Sequence, residues 1–140
     1  MTSQIHPHVR AFTPEDYQSV IDLWQTSGLK IKCSDTLAEL RKLEWDLFLV
    51  AQEHQHGPIV GAVIGAWDGR RGWIYHLAVA STVRRNRVGS VLVNEIQNRL
   101  HTRGALKINL LIEPDNLQAV NFYRSMSFEE VPFLFFTKEI

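Results

Sequence analysis

The sequence predicts an α+β fold on a mixed, mostly antiparallel sheet, and three observations carry that expectation. Short apolar runs at residues 47–51, 59–67 and 73–80 are separated by the polar turns His54-Gln55-His56-Gly57-Pro58 and Asp68-Gly69-Arg70-Arg71-Gly72, the pattern of an antiparallel meander. A long helical pattern then fills about Val88 to Thr102 and closes on Arg103-Gly104, with the glycine in the C-cap position. A further strand, helix and strand complete the order β-α-α-β-β-β-α-β-α-β.

Each element has its own local reason. Val9-Arg10-Ala11-Phe12 alternates and reads as a first strand. Thr13 supplies an N-cap, Pro14 suits the first helical position, and Glu15 and Asp16 complement the helix dipole. Tyr17, Val20, Ile21 and Trp24 then recur at helical spacing up to Gly28. A second helix is expected from the cap Ser34-Asp35, carrying Leu37, Leu40, Leu43 and Trp45 inward. After the meander and the long helix, Lys107 to Ile112 reads as a buried strand. Pro114-Asp115-Asn116 opens a helix running to about Arg124, and Val131 to Lys138 reads as a last strand.

The 140 residues are one domain's worth of chain, with 45% apolar and 21% charged residues, as in an ordinary globular protein. Fifteen basic residues balance fifteen acidic ones, which gives no electrostatic case for nucleic acid or an anionic membrane as partner. The lone Cys33 leaves no internal disulfide, and His54 and His56 lack a third ligand, so no metal site is expected. The polar first eight residues carry no signal-peptide core, and no apolar run approaches the ~20 residues of a membrane helix. A cytoplasmic protein is the expectation.

Chemistry concentrates in two segments. Between Leu77-Ala78-Val79 and the helix that begins near Gly89-Ser90 lies a loop with Arg84, Arg85 and Arg87. A helix N-terminus offers unsatisfied N–H groups and partial positive charge to an anion, above all a phosphate. On its own the same loop reads equally as a solvated basic turn. Neither a Gly-Lys-Ser/Thr phosphate loop nor a Gly-x-Gly-x-x-Gly fingerprint is present. In the second segment Asn116 starts a helix that places Ala119, Phe122 and Tyr123 close together on one face. Alone, Tyr123 reads as a core tyrosine and Asn116 as an N-cap.

Together these segments resemble the GNAT family, the acetyl-CoA-dependent N-acetyltransferases, and especially its short bacterial members of unassigned substrate. The family's Arg/Gln-x-x-Gly-x-Gly/Ala loop is matched by Arg84-Arg85-Asn86-Arg87-Val88-Gly89 after Leu77-Ala78-Val79. Its Asn-x-x-Ala-x-x-Phe/Leu-Tyr-x-x-x-Gly-Phe segment is matched at Asn116, Ala119, Phe122, Tyr123 and Phe128. Two positions depart: Arg87 and Ser127 stand where the family usually has glycine. If φ is positive at position 87, the arginine strains the loop by roughly 1 kcal/mol or more. The resemblance covers essentially the whole chain. It implies one domain over residues 1–140, a central sheet of about six to seven strands and four flanking helices.

The activity it implies is direct transfer of an acetyl group from acetyl-CoA to a primary amine of a small molecule or a protein N-terminus. The competing reading is a non-catalytic acyl-CoA-binding or regulatory domain. By the resemblance, Leu77, Ala78 and Val79 pair with the pantetheine arm. Arg84, Arg85, Asn86, Arg87, Val88, Gly89 and Ser90 form the pyrophosphate loop, and Asn116 anchors the pantetheine or its own helix. Direct transfer needs no nucleophile, so Cys33 has no assigned role. Tyr123 is the general acid for the departing thiolate, since a phenol of pKa about 10 is protonated at neutral pH.

For the base, His76 has the right ordinary pKa, about 6.5. Strict alternation, however, turns it to the face opposite Trp73, Tyr75 and Leu77 unless a bulge intervenes, and a histidine packed on a helix is the favoured reading. Glu113 is the second candidate. Acceptor specificity is expected from residues 28–35, the second helix and the end strands, with some of the four tryptophans as lining. The adjacent Phe133, Leu134, Phe135 and Phe136 suggest a homodimer interface.

Overall fold

The computed structural model describes residues 5–84 and 86–140. The chain forms two compact units, Met1–Leu110 and Leu111–Ile140.

The first unit is built on a five-stranded sheet in the order β1-β2-β3-β4-β5. Its strands are β1 (His8–Ala11), β2 (Phe48–Gln52), β3 (Ile59–Trp67), β4 (Gly72–Val79) and β5 (Ile108–Leu110). The first three pairings are antiparallel. β5 runs parallel to β4 because helix α3 (Val88–Arg103) carries the chain back between them. Helix α1 (Tyr17–Thr26) and the single turn α2 (Leu37–Leu40) lie between β1 and β2 in sequence.

The two faces of the sheet are packed differently. One carries α3, whose Val88, Leu92, Ile96 and Leu100 recur every four residues and are buried. Glycines lie beneath them. A Cβ on Gly61 would sit 2.9 Å from both Leu92 Cδ1 and Val88 Cγ1; one on Gly65, 3.0 Å from Ile96 Cδ1; one on Gly72, 2.7 Å from Leu100 Cδ1. Those missing side chains let α3 press directly on the strands. At its far end Arg103 pairs with Glu44 and Asp46, while Arg99 donates to the Asp46 carbonyl at 2.7 Å, tying the helix to the turn before β2.

The opposite face carries α1 and α2 over bulky side chains. Phe12 stacks on Phe48 at 4.3 Å, Trp24 on Phe48 at 6.2 Å, and Trp45 meets Phe12 edge-on. Arg10 grips Asp16 through two hydrogen bonds of 2.7 and 2.8 Å, fixing β1 to the turn that starts α1. Asp16 also accepts from the Thr13 N–H, which closes the expected cap. Burial raises the Asp16 pKa, but the bonds from Arg10 and Thr13 outweigh it and hold the carboxyl below its ordinary value.

The second unit consists of α4 (Leu117–Ser125) and the segment after it. The helix ends in a Schellman motif: Phe128 N–H donates to the Tyr123 carbonyl and Ser127 N–H to the Arg124 carbonyl, both at 3.0 Å. That motif requires a left-handed residue, and Ser127 provides it with φ +71°. The same two bonds end α1, where Gly28 takes the position with φ +86°.

Three expectations are corrected. The second helix is one turn long, because the Leu40 carbonyl that would continue it accepts from Leu43 N–H and from the Trp45 indole N–H at 2.9 Å. The strand expected at 107–112 is limited to Ile108–Leu110 and is only half-buried. Residues 131–138 form no strand; Phe133 N–H turns back to the Val131 carbonyl around Pro132, and Phe133 to Phe136 are 66 to 85% exposed. The described sheet therefore has five strands, not six or seven.

Candidate active site

β4 leads directly into the basic loop. Its ladder with β5 stops at Ile74–Leu110, so Tyr75 to Val79 run on beyond the parallel partner. On the other side Ala78 and Val79 stay paired with Ala62 and Gly61 of β3. The edge of Leu77, Ala78 and Val79 that faces away from β3 thus has main-chain groups beyond the β5 ladder, the condition for accepting an extended ligand.

A 3-10 turn, Ser81–Val83, follows, and Asn86 N–H bonds back to the Val83 carbonyl at 3.1 Å. Arg84 and Arg87 are exposed, Asn86 is half-buried, and Arg85 lies outside the described residues. Arg87 is left-handed, with φ +64° and ψ 17°, so the expected strain at this non-glycine is present. Val91 N–H bonds the Arg87 carbonyl, and the N–H groups of Val88, Gly89 and Ser90 form the first turn, which a helix cannot satisfy internally. The Ser90 hydroxyl donates to the Arg87 carbonyl at 3.0 Å, which fixes the turn. A helix start with Gly89 in its first turn and exposed arginines beside it fits a diphosphate.

His76 sits in a β-bulge. Between the pairs Ala62–Ala78 and Ile64–Tyr75, β4 supplies two residues, His76 and Leu77, against Val63 alone, and His76 has φ +50°. The bulge breaks strict alternation, so His76 joins Tyr75 on the α1 side of the sheet, contrary to the unbulged expectation. Both line an open cleft of about 160 Å³. Leu40, Leu43 and Ile64 form its apolar wall, and Ser34 and Asp35 its polar rim. His76 packs edge-on against Trp24 of α1, ring centroids 5.0 Å apart, and its Nε2 lies 3.5 Å from Asp35 Oδ1. Burial, with Asp68 adding to it, raises the pKa of the Tyr75 phenol.

In the second unit Asn116 accepts from Ala119 N–H at 3.1 Å, the expected N-cap. Tyr123 is buried between edge-on Phe122 and Phe128, and burial pushes its phenol pKa upward. Glu113 and Cys33 are exposed. Among the described residues no group of three His, Cys, Asp or Glu side chains could hold a metal ion, and no helix is long and apolar enough to cross a membrane. Sequence reasoning took Asp35 as a helix cap and as the last residue of the 28–35 segment expected to set acceptor specificity. Nothing local to residue 35 announces that it meets His76.

The sequence profile of the acetyltransferase (GNAT) family matches residues 14–128. An acetyltransferase of Pectobacterium atrosepticum is 35% identical over 126 residues, 88% of each chain. Among solved structures, Ard1 from Thermoplasma volcanium superposes with a TM-score of 0.81 at 26% identity, covering 90% of this chain and 84% of that one. AAC(6′)-Iy, solved with the bisubstrate analogue CoA-S-monomethyl-acetylneamine, has a TM-score of 0.77 at 15% identity over 96% and 99% of the two chains, a likeness of fold. The mixed sheet, the strand running past its parallel partner and the basic helix start define an acetyltransferase fold. The chain belongs to the GNAT family of acetyltransferases.

Proposed function

We propose that this chain, acting as a single domain, transfers the acetyl group of acetyl-CoA directly to a primary amine of a small molecule or a protein N-terminus. The observation that carries the reading is the continuity of β4 with the α3 start. Main chain beyond the β5 ladder leads within a few residues to anion-binding N–H groups, which suits a ligand with an amide arm and a diphosphate. Leu77, Ala78 and Val79 would hold the arm by main-chain bonds. Arg84 to Ser90 would take the diphosphate, with the Arg87 side chain within reach of a phosphate. Asn116 would serve the arm or its own helix start.

Acetyl-CoA supplies the activated acyl group. The amine nitrogen bonds to the thioester carbon as the carbon–sulfur bond breaks. His76 removes the nitrogen's proton, and Tyr123 donates a proton to the sulfur and regains one from solvent. Burial keeps the Tyr123 phenol protonated and also weakens it as an acid. The exposed Phe133–Phe136 run supports a homodimer through that segment. A concentration-independent monomer in sedimentation would remove the dimer.

The test is calorimetric titration with acetyl-CoA. The expected result is micromolar binding, weakened on the order of tenfold or more by Arg84→Ala and by Gly89→Trp. Absence of binding by the natural chain would overturn the cofactor reading. Tyr123→Phe is expected to lower turnover with little change in CoA affinity. Binding without transfer to any amine would favour the acyl-CoA-binding alternative.

A further inference from the structure

We propose that Asp35 is the positioning residue for His76: its carboxylate holds the imidazole with Nε2–H toward Oδ1, leaving Nδ1 as the nitrogen that takes the acceptor's proton. The inference rests on the reading of His76 as the base. It adds which atom is basic and what sets it.

A buried carboxylate needs partners for both oxygens. The Asp35 side chain is only 6% exposed. Oδ2 accepts the Lys32 N–H at 2.8 Å, which closes the 3-10 turn Cys33–Asp35. Oδ1 faces His76 Nε2 at 3.5 Å, an ion-pair separation longer than a good hydrogen bond. Catalytic contacts commonly tighten only when substrate is bound. The turn is itself held, since the Tyr17 hydroxyl of α1 donates to the Asp35 carbonyl at 3.1 Å.

His76 is fixed from its other sides as well. The Trp24 indole, 1% exposed, stands edge-on to the ring, and the bulge with φ +50° brings the side chain to this face. A left-handed histidine carries strain that the surroundings must hold in place. Among the described residues, the titratable groups lining the cleft with His76 are Asp35 from the 3-10 turn and Tyr75 from β4, with Tyr17 of α1 bonded to the Asp35 main chain. Asp35 is the only carboxylate lining the cleft among the described residues. Since an imidazole's free nitrogen is set by the bond its other nitrogen makes, a carboxylate at Nε2 selects the Nε2–H tautomer.

The experiment reads the tautomer directly by long-range proton–nitrogen NMR on ¹⁵N-histidine-labelled protein, with the His76 signal assigned from its loss in His76→Gln. The natural chain is expected to show Nε2–H. In Asp35→Asn the amide oxygen keeps the Lys32 N–H, the amide NH2 then faces Nε2, and the tautomer inverts to Nδ1–H. With butylamine as probe acceptor, Asp35→Asn is expected to lower kcat about tenfold or more while the KM for acetyl-CoA stays within about twofold, and Asp35→Glu to recover part of the loss. An Nδ1–H ring in the natural chain, which needs no variant to fold, would overturn the proposal. So would an unchanged tautomer in Asp35→Asn. An inverted tautomer together with full turnover by His76→Gln would uphold the Asp35 hold on the ring and sink the reading of His76 as base.

Discussion

The two faces of the central sheet solve different problems. Under α3 the strands present Gly61, Gly65 and Gly72, and the helix lies so close that no added methyl fits without movement. Under α1 and α2 the strands present Phe48, Val50, Ala62, Ile64 and Ala78 beneath Trp24 and Phe12, and the cover is incomplete, leaving the cleft with Asp35 and His76. The closed face holds a long helix at a set height so that its first turn meets the end of β4. The open face leaves an unfilled cleft of about 160 Å³. Filling should therefore harm the first face and emptying the second.

The largest effect is expected from emptying. Trp24→Ala removes the buried indole that packs on Phe48 and His76 and should destabilise by about 4 kcal/mol in denaturant unfolding. Trp24 Nε1 is buried without a hydrogen-bond partner among the described residues, so Trp24→Phe should cost much less than the alanine variant. Filling comes next. Gly65→Val places a side chain against Ile96 and within 3.2 Å of the Leu47 carbonyl oxygen, which cannot swing aside, and should destabilise by about 3 kcal/mol. Equal tolerance of valine at position 65 and of an exposed control site would break the comparison.

At the rim of the open face, Arg10→Ala leaves the buried Asp16 without its bidentate partner and should cost about 2 kcal/mol at neutral pH. The folded Asp16 pKa is depressed. Its contribution is therefore complete above the unfolded value of about 3.9 and is lost as pH falls through the lower folded value. Stability curves of the two proteins should converge in that acid range, and a constant gap would remove the ion pair as the cause. The smallest effect is expected at the mouth of the closed face. Arg87→Gly relieves a left-handed arginine but adds freedom to the unfolded chain, for a net gain of under about 1 kcal/mol. Thermal unfolding measures the gain, and acetyl-CoA titration of the same variant shows whether the guanidinium contributes to binding.

Much of this was legible beforehand because the signals are local. Thr13 through Asp16, the cap at Asn116 and the glycine after Arg103 each act over a few residues, and each appears in place. The departures from glycine were also legible, although their meaning needed coordinates. Both Arg87 and Ser127 hold positive φ, and at Ser127 the Schellman bonds show why, since Gly28 occupies the matching place at the end of α1. The bulge at His76 was not legible, because periodicity counts residues along a strand and cannot see that Val63 faces two of them. The apolar run Phe133–Phe136 read as a strand on composition. Pairing, however, needs a partner edge, and Pro132 turns the described segment back on itself.

What the sequence by itself determined is the order of elements as far as α4, the extents of α3 and α4 and the family, because caps, periodicity and the β4–loop–α3 motif are written in neighbouring residues. What only the tertiary structure decided is the meeting of Asp35 with His76 and the cleft around them. Asp35 and His76 lie in separate elements, and their approach depends on α1 height, the bulge in β4 and the early end of α2 together. No short window contains that information, because side chains distant in sequence meet only when packing has fixed the backbone between them.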